Sequence, residues 1–84
     1  MKVELLPQAA ADLDGIADPL YGRVKKRLGA LGRFPELGAP MAGAYAEYRS
    51  TVVDLFRIVY RLRPDGILEI TFIRDCRRRL PPRA

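Results

Sequence analysis

The chain has 84 residues, 49% of them hydrophobic and 30% charged, so it holds one globular domain, residues 1–84, and is not a disordered segment. A single cysteine, Cys76, and a complete lack of histidine exclude a disulfide framework and the usual zinc sites, and no metal or cofactor is expected. The net charge is +5, and residues 43–84 carry nine basic side chains, all arginine, which favours nucleic acid or an acidic protein as a partner. No apolar run approaches the roughly 18 residues that span a bilayer, so neither targeting nor membrane insertion is expected, and the cytoplasm is the expected location.

The first half of the chain predicts a strand and two helices. Residues 2–6 are compatible with a strand that ends at Pro7, and proline suits the first turn of the helix that follows. A second helix, about 19–31, is predicted from Asp18 as the N-cap to Gly32 as the stop. Its apolar stripe consists of Leu20, Tyr21, Val24, Leu28 and Leu31.

The opposite side of this second helix is basic and includes Lys26 and Arg27. Two interpretations stay open, a solvated helix face and a contact surface for nucleic acid. Residues 33–46 follow with several prolines and glycines and no clear period, which predicts a loop. Such a loop is long for a compact domain and indicates a functional or partner-facing segment.

The clearest alternation runs from Leu55 to Arg63, and residues 67–73 alternate again after the turn Pro64-Asp65-Gly66. The predicted hairpin pairs Arg61 with Glu69, Val59 with Thr71 and Arg57 with Ile73 on one face. On the other face it pairs Leu62 with Leu68, Tyr60 with Ile70 and Ile58 with Phe72. This second face is apolar, so Tyr60 and Phe72 are predicted to lie in the core beneath the helices.

Residues 48–53 are predicted to form a third antiparallel strand. Its turn to the next strand holds two residues or three, and three is preferred because that register places Arg49, rather than Ser50, on the face that carries Arg57. The predicted fold is therefore α+β, with the order β-α-α-β-β-β and a helical pair packed on one face of an antiparallel sheet.

The arginine-bearing sheet face lies next to a basic C-terminal cluster. This cluster consists of Arg74, Arg77, Arg78, Arg79 and Arg83. Neither a catalytic triad nor a metal site is supported by the residue types present. Phosphate binding and stabilisation of transition-state charge by arginine are the chemistry that remains.

Several segments resemble the RelE/ParE toxins of type II toxin–antitoxin systems. They are Phe34-Pro35-Glu36-Leu37-Gly38, Tyr48-Arg49-Ser50, Phe56-Arg57-Ile58-Val59-Tyr60-Arg61 and Ile73-Arg74-Asp75-Cys76-Arg77-Arg78. For RelE-like members the resemblance implies a ribosome-dependent endoribonuclease that cuts mRNA and inhibits translation. Arg57, Arg49 and Arg77 then match the family's catalytic basic positions. The other basic residues expected to bind nucleic acid are Arg61, Arg74, Arg78, Arg79, Lys26 and Arg27.

The sequence departs from the RelE pattern at two places. Leu80-Pro81-Pro82 stands in place of the segment that carries the family's C-terminal tyrosine, and Asp75 stands where many relatives have histidine. ParE-like members, which inhibit DNA gyrase without nuclease activity, are the alternative, as is a degenerate member that only binds its antitoxin. Every alternative implies an antitoxin encoded by an adjacent gene. A purely structural role, in which Arg61 and Arg63 pair with Glu69 and other neighbours, also stays open.

Overall fold

The order of helices and strands in the computed structural model follows the predicted order, with one additional strand. Residues 1–82 are described, so Arg83 of the predicted basic cluster lies outside the described residues. The elements are β1 (Val3–Leu5), α1 (Pro7–Asp14), α2 (Leu20–Arg33), β2 (Ala39–Pro40), a 3-10 turn (Gly43–Tyr45), β3 (Arg49–Val53), β4 (Phe56–Leu62) and β5 (Leu68–Asp75). The additional strand, β2, has only two residues and no alternation, so the sequence contained no signal for it.

The five strands form one sheet in the order β1-β5-β4-β3-β2. Strand β1 runs parallel to β5, with Val3 opposite Leu68, and every other neighbouring pair is antiparallel. The α+β class and the helical pair on one face are confirmed, and the sheet is mixed. The parallel pair arises because α1 and α2 carry the chain away from β1 before the antiparallel strands lead back to it.

The core lies between the helical pair and the sheet. It includes Ala9 and Leu13 of α1, Val24, Leu28 and Leu31 of α2, and Ile58, Tyr60, Leu68, Ile70 and Ile73 of the sheet. Helix α2 begins at Leu20 with Pro19 as its N-cap residue and no side-chain cap, so the predicted capping by Asp18 is wrong. The helix also continues through Gly32 to Arg33, because its apolar stripe remains packed on the sheet to that point.

The turn between β3 and β4 holds two residues, so the preferred three-residue register is wrong. Val53 pairs with Phe56, and Arg49 consequently pairs with Tyr60. Arg49 therefore lies on the helix side of the sheet. Ser50 pairs with Val59 and lies on the opposite face, where Arg49 was predicted to lie. The short turn is possible because Asp54 adopts φ 53°, a conformation that aspartate tolerates better than most residues.

The hairpin of β4 and β5 matches its predicted register only near the turn. Arg61 pairs with Glu69, Tyr60 with Ile70 and Leu62 with Leu68, as predicted. Between Tyr60 and Val59 the register shifts at a β-bulge. Ile70 pairs with Tyr60 and Phe72 with Val59, so Thr71 between them has no partner in β4.

The bulge moves every later residue of β5 by one position. Ile58 pairs with Ile73, and Val59 pairs with Phe72, so the predicted pairs Ile58–Phe72 and Val59–Thr71 are wrong. Phe72 therefore packs on the sheet face away from the helices and not in the core beneath them. The same shift places Arg74, rather than Ile73, directly opposite Arg57.

Gly38 holds the loop after α2 against the sheet. Its N–H donates to Tyr60 Oη at 2.9 Å, and Tyr60 Oη donates to the carbonyl of Pro35 at 2.7 Å. A Cβ on Gly38 would lie 2.7 Å from the carbonyl oxygen of Ser50 and 2.8 Å from Tyr60 Oη. The chain can approach the sheet this closely only with glycine at position 38.

Replacing Gly38 by alanine is therefore expected to destabilise the fold. The added methyl group meets backbone that cannot move without disturbing β3, and overpacking of this kind costs about 1–3 kcal/mol. The matched control is Gly29→Ala in α2, where a Cβ meets only Arg33 Nη1 at 3.9 Å. Because alanine favours helix over glycine, this control should stabilise the protein by about 1 kcal/mol. Urea denaturation measures both values, and equal effects of the two variants would contradict the assignment.

Candidate anion-binding site on the open face of the sheet

The sheet face opposite the helices, called the open face below, carries alternate residues of β4. Ile58 and Tyr60 point into the helix-side core, whereas Val59 belongs to a second apolar cluster on the other side. Arg57 and Arg61 share the side of Val59 because side chains alternate along a strand. The predicted arginine face is thus the open face, with one arginine on each side of a buried valine.

The middle of the open face is covered by an aromatic cap consisting of Tyr45, Tyr48 and Val59, with Phe72 and Leu80 packed against it. The two tyrosine rings meet edge to face, with centroids 5.4 Å apart. Tyr45 Oη donates to the carbonyl of Pro81, so residues 80 and 81 are held across the sheet. The cap divides the open face into two ends with different electrostatics.

At one end, Arg57 and Arg74 are directly opposite each other on β4 and β5. Arg57 is half-buried and makes no hydrogen bond or ion pair with any of residues 1–82. The guanidinium of Arg74 lies 5.4 Å from the centre of the Phe72 ring, and its Nε is buried without an acceptor. Two like charges in such a pair destabilise a sheet, and an unpaired buried donor has a cost as well. An anion bound by both arginines would offset the repulsion between them, and an anion that reaches Arg74 Nε would supply its missing acceptor.

At the other end, Arg61 is neutralised. Its Nε donates to Glu69 Oε2 at 3.0 Å, and its guanidinium lies 5.8 Å from the centre of the Tyr48 ring. The hydrogen bond from Arg61 to Glu69, together with the attraction between their charges, raises the pKa of Arg61. The expected pairing of Arg61 with Glu69 is confirmed, and it leaves this end of the open face with little free positive charge.

Arg63 is paired too, which confirms the structural interpretation of this side chain. Its guanidinium forms ion pairs with Glu4 at 3.3 Å and with Asp65. Neither Arg61 nor Arg63 therefore resembles Arg57, although the three residues alternate along the same stretch of sequence.

Arg77 follows β5 and is held by Asp75. Its Nε and Nη2 donate to the two carboxylate oxygens of Asp75 at 3.0 and 2.7 Å, and its backbone N–H donates to Oδ1 at 2.9 Å. These side-chain and backbone hydrogen bonds lower the pKa of Asp75 to about 2. The Arg77 side chain is 79% exposed, so it reaches solvent as a partly neutralised pair and not as a free cation.

The Asp75–Arg77 pair gives a pH dependence with a definite sign. A carboxyl group whose pKa falls on folding stabilises the native state fully above its unfolded value, about 3.9. The contribution is lost as the pH falls from about 4 through 2. In Arg77→Gln, the pKa of Asp75 should therefore return toward its ordinary value. Carboxyl NMR titration measures this shift, and an unchanged pKa of Asp75 in the variant would contradict the pairing.

The remaining predicted nucleic-acid-binding residues do not converge on one surface. Arg78 and Arg79 are exposed, and neither side chain forms a hydrogen bond or a close ion pair among the residues the structure describes, although the charge of Arg78 attracts Asp75. Lys26 and Arg27 lie on α2, on the helix side of the sheet, where Arg27 donates to Thr51 Oγ1 and to the carbonyl of Val52. They therefore belong to a different surface from Arg57 and Arg74.

The predicted position of Arg49 on the open face is wrong, since this residue lies on the helix side and is partly buried. Its Nη1 donates to the carbonyl of Gly38 at 2.7 Å, next to the hydrogen bonds of Tyr60. Arg49 thus fixes the loop after α2. The misplacement came from the turn length, because one residue more or less reverses every side chain of a strand.

Sequence reasoning also missed two features of the open face. The pairing of Arg74 with Arg57 depends on the bulge at Thr71, and the alternation of apolar and polar residues in this strand gives no signal of a bulge. Tyr45 lies in a segment without periodicity, so its place in the aromatic cap was not foreseeable. Within residues 1–82, no group of three side chains is arranged to hold a metal ion, and no helix is long and apolar enough to cross a bilayer.

The fold is similar to that of several solved toxins. The toxin–antitoxin complex RelBE2 from Mycobacterium tuberculosis contains a chain with 22% identity and a TM-score of 0.79, with 88% of this chain and 95% of that chain covered. A chain of the intact E. coli RelBE complex has 12% identity and a TM-score of 0.74, with 88% of this chain and 94% of that chain covered. A chain of a chromosomal ParDE system from P. aeruginosa has 19% identity and a TM-score of 0.72, with 89% of this chain and 95% of that chain covered. Among curated protein sequences, none matches significantly.

These likenesses place the fold in the RelE/ParE class of toxins. Residues 3–80 match the family described as the ParE toxin of the type II toxin–antitoxin system parDE. Because the match extends over nearly the whole chain, the protein belongs to this family of type II toxins.

Proposed function

We propose that the protein is a RelE-like toxin that cleaves mRNA on the ribosome and so inhibits translation. The observation that supports this proposal is the pair of Arg57 and Arg74, two arginines directly opposite each other on neighbouring strands, neither of which forms an ion pair within residues 1–82. Guanidinium is planar, always charged and suited to bidentate contact with phosphate. The pair is therefore built to receive a phosphodiester.

In the proposed reaction, Arg57 and Arg74 bind the phosphate to be cleaved and stabilise the negative charge that develops on its oxygens. Preorganised donors at such a position cost no reorganisation during the reaction. Arg77 acts beside them at the end of β5, once substrate phosphate competes with Asp75 for its guanidinium. Arg49 contributes as a positioning residue, because it fixes the loop after α2 through Gly38. Arg78 and Arg79 extend the positive surface along the RNA.

Inhibition of DNA gyrase without nuclease activity is the second candidate. The observation that favours it is the match of residues 3–80 to the ParE family. The absence of histidine from the whole sequence also removes the commonest general base of an RNA-cleaving site. In that case the Arg57–Arg74 pair binds an acidic surface of the target protein.

One induction experiment separates the two candidates. Cells expressing the toxin are pulsed with labelled amino acid and labelled thymidine at successive times. If translation stops first, the RelE-like proposal holds. If DNA synthesis stops first and induction of the DNA-damage response follows, gyrase is the target and the mRNA proposal is wrong.

We also propose that a cognate antitoxin, encoded by an adjacent gene, neutralises the protein in the cytoplasm. The support is the fold, since similar toxins were solved in complex with their antitoxins, and the net charge of +5, which an acidic partner complements. Co-expression with the neighbouring gene should yield a complex with a higher Tm than the free toxin. Recovery of the free protein, with an unchanged Tm, would contradict this proposal.

A further inference from the structure

A groove at the end of α2 is bordered by apolar side chains that the fold leaves exposed. It has a volume of about 530 Å³. We call it the Phe34 groove, and its lining consists of Arg33, Phe34, Pro35, Glu36, Leu37 and Leu62. Of the six large apolar side chains that are exposed within residues 1–82, three border this groove: Phe34 at 62%, Leu37 at 47% and Leu62 at 45%. Single exposed apolar side chains are common on protein surfaces, whereas a cluster of them marks a contact surface.

The backbone of the Phe34 groove is already held in place by hydrogen bonds. The N–H of Leu37 donates to the carbonyl of Phe34 at 3.0 Å, which closes a tight turn. Beneath this turn, the hydroxyl of Tyr60 joins the Pro35 carbonyl to the Gly38 N–H. A partner that binds here therefore orders little additional chain, so little of the free energy gained by apolar burial is lost to ordering.

Two opposite charges lie on the rim of the Phe34 groove. Arg33 ends α2 and Glu36 follows in the loop; both are exposed, and neither forms an ion pair within residues 1–82. Because the two charges cancel, the groove itself favours neither a strongly acidic segment nor a phosphate. A second copy of the chain is complementary to it in both respects. In a two-fold dimer the same surface meets itself, so apolar side chains cover apolar side chains, and Arg33 of each copy faces Glu36 of the other.

We infer that the Phe34 groove is the contact surface of a two-fold dimer of this chain. Three apolar side chains from each copy bury less area than a permanent interface does, so the dimer is transient and forms at about 10–100 µM. Leu62 and Arg57 lie at opposite ends of β4, about 17 Å apart, so the dimer leaves the Arg57–Arg74 pair of each copy open. The inference is independent of whether mRNA or gyrase is the target.

Sedimentation velocity of the purified full chain, from about 5 µM to about 1 mM, measures this self-association. Phe34→Ser/Leu37→Ser should weaken it about tenfold or more, because these side chains supply most of the apolar contact. The matched control is Leu55→Ser, which removes a similarly exposed leucine from the turn between β3 and β4. This control should associate as the wild type does.

Charge reversal identifies the occupant as a second copy. Arg33→Glu alone brings two acids together across the dimer, and Glu36→Arg alone brings two bases together, so each variant should lose its rim contacts. An equimolar mixture of the two variants restores both attractive contacts and should form mixed dimers in preference to either variant alone. The control mixture is Lys25→Glu with Asp14→Arg, two exposed positions outside the groove that produce the same net charges. It should show a much weaker preference for mixed dimers.

Three outcomes would overturn the inference: a wild type that stays monomeric up to about 1 mM, wild-type association in Phe34→Ser/Leu37→Ser, or charge variants that mix no better than the control pair. A monomeric wild type whose Phe34→Ser/Leu37→Ser variant instead loses binding to the product of the adjacent gene would assign the groove to that partner. None of these readouts involves toxic activity, so failure here is distinct from failure of the proposed function, which growth arrest and mRNA cleavage measure.

Discussion

Removing either guanidinium of the Arg57–Arg74 pair is expected to abolish growth arrest while the fold remains intact. Loss of one preorganised charge-stabilising group lowers the rate of the chemical step about 10²–10³-fold. The folded state should not suffer, because neither side chain makes a hydrogen bond to the rest of residues 1–82 and the two like charges repel. Arg57→Ala should therefore have a Tm equal to or above that of the wild type, whereas Arg74→Ala also loses the contact of its guanidinium with the Phe72 ring and should remain folded with a Tm close to that of the wild type.

Growth after induction, read together with thermal melting of each purified variant, measures both parts of this expectation. Lys25→Ala, an exposed change on α2, is the control for loss of one positive charge and should arrest growth as the wild type does. If Arg57→Ala and Arg74→Ala remain fully toxic, the open face is not the active surface.

Tyr60→Ala is expected to act through stability, and its effect should be the largest of any single substitution discussed. Tyr60 is fully buried, and its hydroxyl joins the Pro35 carbonyl to the Gly38 N–H. Truncating a buried aromatic side chain costs about 3–5 kcal/mol, and a domain of this size has only about 5–10 kcal/mol in total.

Tyr60→Phe separates packing from hydrogen bonding. It keeps the ring but leaves the Gly38 N–H without its acceptor, for an expected loss of about 1–3 kcal/mol. Chemical denaturation followed by circular dichroism gives both values. A Tyr60→Phe variant as stable as the wild type would show that the hydroxyl does not hold the loop after α2.

The strongly periodic parts of the fold were predictable from the sequence. Alternation from Leu55 to Arg63 identified β4, and the turn at Pro64-Asp65-Gly66 fixed its pairing with β5 as far as Tyr60. The apolar stripe of α2 identified the helix and its buried face. In each case burial of one face requires a period that the sequence displays directly.

Features that depend on a single residue of register were not predictable. The bulge at Thr71 exchanges Ile73 for Arg74 opposite Arg57, and the two-residue turn at Asp54 turns Arg49 toward the helices. Both alternatives leave the apolar pattern of the local sequence nearly unchanged, so packing against distant residues decides between them. The prediction of an arginine-bearing sheet face was therefore right for Arg57 and Arg61. It was wrong for Arg49, and it placed Ile73 instead of Arg74 opposite Arg57.

The central claim is that the Arg57–Arg74 pair serves cleavage of mRNA on the ribosome. The most direct measurement uses purified ribosomes programmed with a defined mRNA, to which the wild-type toxin, Arg57→Ala or Lys25→Ala is added, with cleavage mapped by primer extension. We expect a discrete cut with the wild type and Lys25→Ala, and a rate about 10²–10³-fold lower with Arg57→Ala. An intact mRNA with the wild-type toxin, together with inhibition of gyrase supercoiling by the same preparation, would contradict the account.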